Sequence, residues 1–382
     1  MTTGKDTLKV WNFGAGPSVL PTSVLEKAQR DLLNYDGTGM SVIEISHRSK
    51  TFQKLMDETT SNLKTLLNIP SNYRVLFMQG GGSTQFSAVV FNLLAHKGDR
   101  NAPVDYLVTG SWSQKASEEA KHLGANVNIV FNTKKETGSY TSVPPKENWK
   151  LTGSEAAYVY YCDNETVHGV EFDSIPEIDP NVPLVCDMSS NILSRQVDVS
   201  KFGIIYAGAQ KNMGPSGVTI VIIREDLLNR PSIENQSNPT WPIPLMFDYK
   251  IQADNDSLYN TPPMFSIYGV ALVLEWLLEL GGISAIQSIN ERKARKVYDV
   301  IDKYDIYKCP VDEKVRSKMN IPFRLTTEEL ESEFLKGADS LNMVQLKGHR
   351  SVGGIRASLY NAMPEEGVEA LVQYMEQFAK SH

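Results

Sequence analysis

The segment Tyr206-Ala-Gly-Ala-Gln-Lys-Asn-Met-Gly-Pro-Ser-Gly217 sets one lysine, Lys211, among small residues. A β-branched run, Phe202-Gly-Ile-Ile-Tyr206, precedes it, and another, Val218-Thr-Ile-Val-Ile-Ile223, follows. An ammonium at the end of a buried strand is costly to desolvate, so the position favours the neutral amine. A neutral amine condenses with an aldehyde, which makes Lys211 a candidate Schiff-base lysine. A lone lysine in a glycine-rich turn is more often a solvated surface residue, so the reading depends on its neighbours.

Four other features could serve the same chemistry. Asp187 ends the apolar run Leu184-Val-Cys-Asp one strand earlier, where a carboxylate can hold the protonated nitrogen of a pyridine ring. By itself it would pass for a turn or helix cap. Gln79-Gly-Gly-Gly-Ser-Thr-Gln85 lies between a strand-like and a helix-like run, and its amides and hydroxyls suit a phosphate. It is not a Walker loop, because no Gly-Lys-Ser/Thr closes it. Trp112, in Thr109-Gly-Ser-Trp-Ser, could stack on an aromatic ring or fill a core. His47-Arg48, His349-Arg350 and Arg356 offer planar, two-point donors for carboxylate or phosphate, although a His-Arg pair is ordinarily solvated. Gly14-Ala-Gly-Pro-Ser begins like a dinucleotide fingerprint but lacks its third glycine and a preceding strand.

The elements that must position these residues alternate along the first two thirds of the chain. Helical spacing runs from Thr22 to Leu33, from Thr51 to Leu67, from the Gly80–Gly82 turn through Leu94, and from Ser111 to Leu123. Strand-like runs cover 73–78, 105–109, 157–162 and 183–187, and none has a polar face. Such strands imply a mostly parallel sheet covered on both sides, with ligands at the carboxyl ends of its strands. The fold class expected is α/β: a three-layer αβα large domain over 17–263, and a smaller α+β domain over 264–382 joined by an N-terminal arm, 1–16. Ser266–Leu280 and Ile283–Lys303 are expected helices of the second part, with strands near 321–325 and 353–359. Arg230 to Pro244 reads as an irregular surface loop.

A chain of 382 residues suits two domains of unequal size, and a net charge of −7 without basic runs argues against nucleic acid as a partner. No apolar window approaches a membrane span, and Met1 to Val10 lacks the apolar core of a signal peptide. Cys162, Cys186 and Cys309 have no metal-type spacing and read as inert thiols of a reducing compartment. No metal is expected, and a cytoplasmic location is.

Taken together, the segments resemble the phosphoserine aminotransferases, class V members of the fold-type I pyridoxal-phosphate enzymes. The resemblance covers nearly the whole chain. It rests on Asn12-Phe-Gly-Ala-Gly-Pro, Ile45-Ser-His-Arg-Ser, Phe77-Met-Gln-Gly-Gly-Gly, Asn164-Glu-Thr-Val-His-Gly, Asp187-Met-Ser-Ser-Asn, Ala207-Gly-Ala-Gln-Lys-Asn-Met-Gly-Pro, Tyr259-Asn-Thr-Pro-Pro and Gly348-His-Arg-Ser-Val-Gly-Gly-Ile-Arg-Ala-Ser-Leu-Tyr-Asn-Ala-Met. Eight segments in the correct order are specific where each alone is not.

The resemblance implies pyridoxal 5'-phosphate attached to Lys211, its ring nitrogen paired with Asp187, its ring against Trp112 and its hydroxyl side near Thr166. It implies Gly82, Ser83 and Gln210 at the cofactor phosphate, with Asn260 and Thr261 supplied by a neighbouring subunit of a homodimer. His47, Arg48, His349, Arg350 and Arg356 are implied for the carboxylate and phosphate of the substrate, some of them across the dimer interface. Bacterial members often carry arginine where Ser83 stands, so this chain has one fewer positive charge there. The implied reaction is 3-phosphohydroxypyruvate plus L-glutamate giving O-phospho-L-serine plus 2-oxoglutarate, a ping-pong step of serine biosynthesis. The alternative within the family is another class V enzyme, such as an alanine–glyoxylate aminotransferase. A cysteine desulfurase would need a mobile, exposed cysteine, which the strand-like settings of the three cysteines do not offer.

Overall fold

The structure, a computed structural model, describes residues 9–382, so the first part of the expected N-terminal arm lies outside the described residues. Seven strands form the main sheet: β1 (Tyr73–Met78), β2 (Pro103–Val108), β3 (Asn126–Asn132), β4 (Tyr158–Cys162), β5 (Leu184–Asp187), β6 (Ile204–Gly208) and β7 (Thr219–Arg224). Their spatial order is β1-β7-β6-β5-β4-β2-β3. Only β7 runs antiparallel to its neighbours, and every other pairing in this sheet is parallel.

Alternation along each strand divides the core in two. Tyr161, Cys186, Ile205, Ile220 and Ile222 join one apolar cluster with helices Lys50–Leu67 and Met264–Glu279. Tyr160, Val185, Ile204, Tyr206 and Val221 join the other, with helices Gly81–Lys97 and Ser111–His122. Period-two side chains facing two helical layers give the three-layer αβα arrangement expected from strands without a polar face.

Helix Lys50–Leu67 shows how local chemistry sets these layers. Ser49 caps it, its Oγ accepting from the Phe52 amide at 3.2 Å, and Asn68 closes it in the left-handed region at φ 49°. Its buried residues Phe52, Leu55, Met56, Thr59, Leu63, Leu66 and Leu67 fall at three- and four-residue intervals. Helix Met264–Glu279, grouped with the second domain by its position after Pro263, buries Ile267, Tyr268, Val270 to Leu274 and Leu277 in the cluster of the main sheet.

The C-terminal part has its own core. An antiparallel sheet of Tyr307–Lys308, Asn320–Leu325 and Ile355–Ser358 packs against helices Gly282–Lys303, Glu328–Ser340 and Glu365–Ser381. The N-terminal segment belongs with it: Trp11–Asn12 pairs in parallel with Met343–Val344, and Phe13 is fully buried in that cluster. Among the described residues no single helix is long and apolar enough to cross a membrane.

Candidate active site

The carboxyl ends of β4, β5 and β6 open on one cavity of about 440 Å³. Asp187, the last residue of β5, is 5 % exposed, and its Oδ1 accepts from the Ser189 amide at 2.8 Å. No cation lies within ion-pairing distance of it among the described residues. Burial raises its pKa, while the Ser189 hydrogen bonds and the charge of Lys211 pull the other way. It is a carboxylate poised for a cationic partner.

Lys211 lies three residues past the end of β6, in the turn that leads to β7. Its Nζ donates to Thr166 Oγ1 at 2.7 Å and stands 5.8 Å from the centre of the Trp112 ring. Burial lowers its pKa from the usual lysine value, and Asp187 and Cys162 oppose that shift. The segment is tied to the N-terminal arm: Ser18 Oγ donates to the Lys211 carbonyl at 2.6 Å. Gly16, at φ 128°, passes so near that a Cβ there would lie 3.2 Å from Lys211 Cγ.

The opposite wall is the amino end of helix Gly81–Lys97. Its N-cap, Gly80, offers no side chain to the first-turn amides, which remain available to an anion. A Cβ on Gly82 would project to within 3.5 Å of Asp187 Oδ2, so glycine here keeps the space over that carboxylate open. Trp112 enters from the first turn of helix Ser111–His122, and its buried indole N–H has no partner among the described residues. Glu165 fixes that helix end: its carboxylate accepts from the Trp112 and Ser113 amides, both at 2.9 Å, and from Ser113 Oγ at 2.6 Å. Gly110 is obligatory beside it, because a Cβ there would overlap the Glu165 carboxyl.

Gly82, Ser83, Trp112, Thr166, Asp187, Gln210, Lys211, His349 and Arg356 all line this cavity. Arg356 comes from the C-terminal sheet and donates to the Thr166 carbonyl at 3.1 Å, with burial lowering its pKa. The His349 pKa is lowered by burial and by Arg356. His47 and Arg48 sit instead in the turn before helix Lys50–Leu67, and Arg350 is exposed beyond the rim. Asn260 lines a separate, smaller cavity with Gln79 and Thr84, and Thr261 is exposed. The single chain therefore assembles a lysine, a carboxylate, a stacking face, an anion cradle and one arginine.

The family model for class-V aminotransferases matches residues 10–371. The chain belongs to that family. The phosphoserine aminotransferase of Nitrosomonas europaea is 51% identical over 380 residues, which cover 98% of this chain and 99% of that one. The solved phosphoserine aminotransferase from Bacillus circulans subsp. alkalophilus superposes with a TM-score of 0.91 at 45% identity, covering 98% of this chain and 99% of that chain. The PLP-bound phosphoserine aminotransferase from Trichomonas vaginalis gives 0.89 at 42% identity, covering 96% and 100%. The family and the α/β fold expected from the motifs are those found.

Within this class-V aminotransferase, three contributors lay outside the sequence reading. Glu165 and the Ala15–Gly16 wall are two of them. The third is His168, whose Nε2 meets Ser111 Oγ at 2.8 Å and whose ring meets Tyr140 edge-on. Burial, then the charge of Lys134, lowers its pKa to about 4, so it is neutral at physiological pH. Glu165 and His168 both stand inside the quoted Asn164-Glu-Thr-Val-His-Gly segment, so their presence was visible even though their partners were not.

Proposed function

We propose that this class-V aminotransferase uses pyridoxal 5'-phosphate to exchange an amino group between L-glutamate and 3-phosphohydroxypyruvate, giving 2-oxoglutarate and O-phospho-L-serine. The observation that carries the reading is that Lys211 and the unpaired Asp187 face one cavity whose far wall is a helix N-terminus without a side-chain cap. The residues fit the cofactor: open space over Asp187, a free indole edge at Trp112 and unengaged amides at 81–83. Bound there, it supplies an electron-poor ring that stabilises negative charge at the substrate Cα.

The chain's residues then divide the work. Asp187 holds a proton on the ring nitrogen, and Trp112 excludes water from one face. Gly82, Ser83 and Gln210 hold the cofactor phosphate. Lys211, with its pKa lowered, carries a proton at close range, and Thr166 keeps its amine aimed in the resting state. Arg356 takes a carboxylate two-point fashion, which suits glutamate and the keto acid alike because each carries a carboxylate and a second anionic group at similar reach. Exposed Arg350 adds positive charge beyond the rim toward the substrate's second anionic group, and His349, its pKa lowered, offers that group a neutral hydrogen-bond donor. We further infer a homodimer in which His47, Arg48, Asn260 and Thr261 reach the site of the other copy, since a single chain leaves them outside the cavity. A cytoplasmic location belongs to the same reading.

The test is a panel of amino donors, phosphoserine, phosphohydroxythreonine, alanine and serine, against 2-oxoglutarate. Phosphoserine is expected to be the preferred donor. Equal rates on serine and phosphoserine would remove the argument from the cationic rim.

A further inference from the structure

Asn290 and Lys293 stand three positions apart on one face of helix Gly282–Lys303, and both are buried, at 1 % and 0 % exposure. A lysine removed from water ordinarily meets a carboxylate. Lys293 meets none among the described residues: Glu365, the acidic charge that bears on it, pairs instead with Arg292 and Lys296. Its Nζ donates to three backbone carbonyls, those of Leu359 at 3.1 Å, Tyr360 at 2.9 Å and Met363 at 3.0 Å. Three acceptors match the three N–H groups of an ammonium, whereas a neutral amine has two. Burial lowers the Lys293 pKa, and the carbonyls, which favour the charged form, oppose that shift.

These carbonyls belong to the turn that follows strand Ile355–Ser358, the strand that carries Arg356. Two arms leave the turn for the cavity. The Tyr360 hydroxyl donates to the Ala15 carbonyl at 2.8 Å and so holds one wall. The Asn361 amide donates to Asn212 Oδ1 at 2.9 Å, and Asn212 adjoins Lys211. The arms are anchored separately. Asn290 Nδ2 donates to Asn361 Oδ1 at 2.8 Å and to the Ser194 carbonyl at 3.1 Å, while Asn361 Nδ2 donates to the Leu193 carbonyl at 2.9 Å. The arm toward Lys211 thus keeps its side-chain bonds without Lys293. The end of the Arg356 strand and the arm toward Ala15 depend on the ammonium.

We propose that Lys293 is a positioning residue for substrate binding, setting Arg356 and the Ala15 wall through the turn at 359–363, while Asn290, three residues earlier, positions Lys211. Neither side chain lines the cavity, so one helix face behind the site governs its two halves from outside. The proposal rests on the function proposed above.

The experiment measures KM and kcat with glutamate and with phosphoserine as amino donor, melting temperature, and the pH midpoint of the visible absorption band of the holoenzyme. The proteins are the wild type, Lys293→Met, Lys293→Gln and Asn290→Leu. Lys293→Met is expected to raise KM for both donors about tenfold, the worth of one hydrogen bond to a charged group, with kcat changed far less and the band midpoint unmoved. Lys293→Gln keeps two N–H groups and should raise KM by less. Asn290→Leu should do the reverse: kcat falls about fivefold with KM little altered, and the midpoint moves because the residue beside Lys211 is freed. A lower melting temperature with unchanged KM in the Lys293 variants would leave that lysine a structural role only. Equal changes in KM and kcat in both sets would remove the division of labour. Either result overturns the proposal. Should neither Lys293 variant fold, Tyr360→Phe decides, because it loses only the hydroxyl on Ala15: KM must rise with kcat retained, and an unchanged KM overturns the positioning role. Absence of a visible band and of turnover in the wild type would instead overturn the functional reading itself.

Discussion

Lys211 and Arg356 grip the two ends of one residue: Thr166 accepts from the lysine at its hydroxyl, 2.7 Å, and from the arginine at its carbonyl, 3.1 Å. The amine and the guanidinium come from different parts of the chain, so Thr166 sets their spacing. Thr166→Val keeps the volume and removes the hydroxyl. Turnover is expected to fall about tenfold, the worth of one hydrogen bond to a charged group, while melting temperature changes little. Steady-state kinetics with thermal melts checks this. Lys211→Ala should abolish the visible band and slow the glutamate half-reaction by about three orders of magnitude or more.

Arg356→Lys keeps the charge and loses the planar fork. KM should rise roughly 10- to 100-fold for glutamate and for the phosphorylated keto acid alike, with kcat changed far less. A rise confined to one substrate would mean that the two carboxylates do not share this arginine.

Glu165→Gln replaces one acceptor oxygen with a donor facing the Trp112 or Ser113 amide, at a helix end that favours negative charge. Stability is expected to drop by about 2 kcal/mol in urea melts. Because Trp112 sits in the first turn of that helix, its fluorescence should shift as well.

His168 gives the protein an acid-sensitive element. Its folded pKa of about 4 lies below the unfolded value of 6.5. Between these values the unfolded chain takes up a proton that the folded chain refuses, so stability falls as pH falls through that window. Relative to His168→Gln, the wild type is expected to lose on the order of 3 kcal/mol between pH 7 and pH 4. Parallel denaturant melts at the two pH values measure the difference.

What could be read from the chain followed range. β1, β4, β5 and β6 were legible because strands buried on both faces are written as unbroken apolar runs. β3, Asn126-Val-Asn-Ile-Val-Phe-Asn132, was not, since an edge strand keeps polar residues at its exposed positions. Helices Glu328–Ser340 and Glu365–Ser381 carried ordinary signals, acidic first turns and Pro364 before the second, yet the mixed composition around them obscured both. Within the site, Lys211 and Asp187 declared themselves because a charge at the end of an apolar strand demands a reason. Glu165 did not, because its meaning lies in amides fifty-two positions away in sequence. Gly16 was hidden further still, its role set by a lysine that arrives almost two hundred residues later.

That last separation bears on how the molecule comes into being. The wall at Ala15–Gly16 is held by strand pairing of Trp11–Asn12 with Met343–Val344 and by the Tyr360 hydroxyl, which donates to the Ala15 carbonyl at 2.8 Å. Chains emerge from the ribosome amino end first, so residues 11–16 are made long before the partners that hold them. The main sheet can assemble during synthesis, but the pocket is finished only when residues 343–360 have been released. A nascent chain stalled short of residue 343 would hold Lys211 and Asp187 without this wall, which ties the start of catalytic competence to the synthesis of residues 343–360.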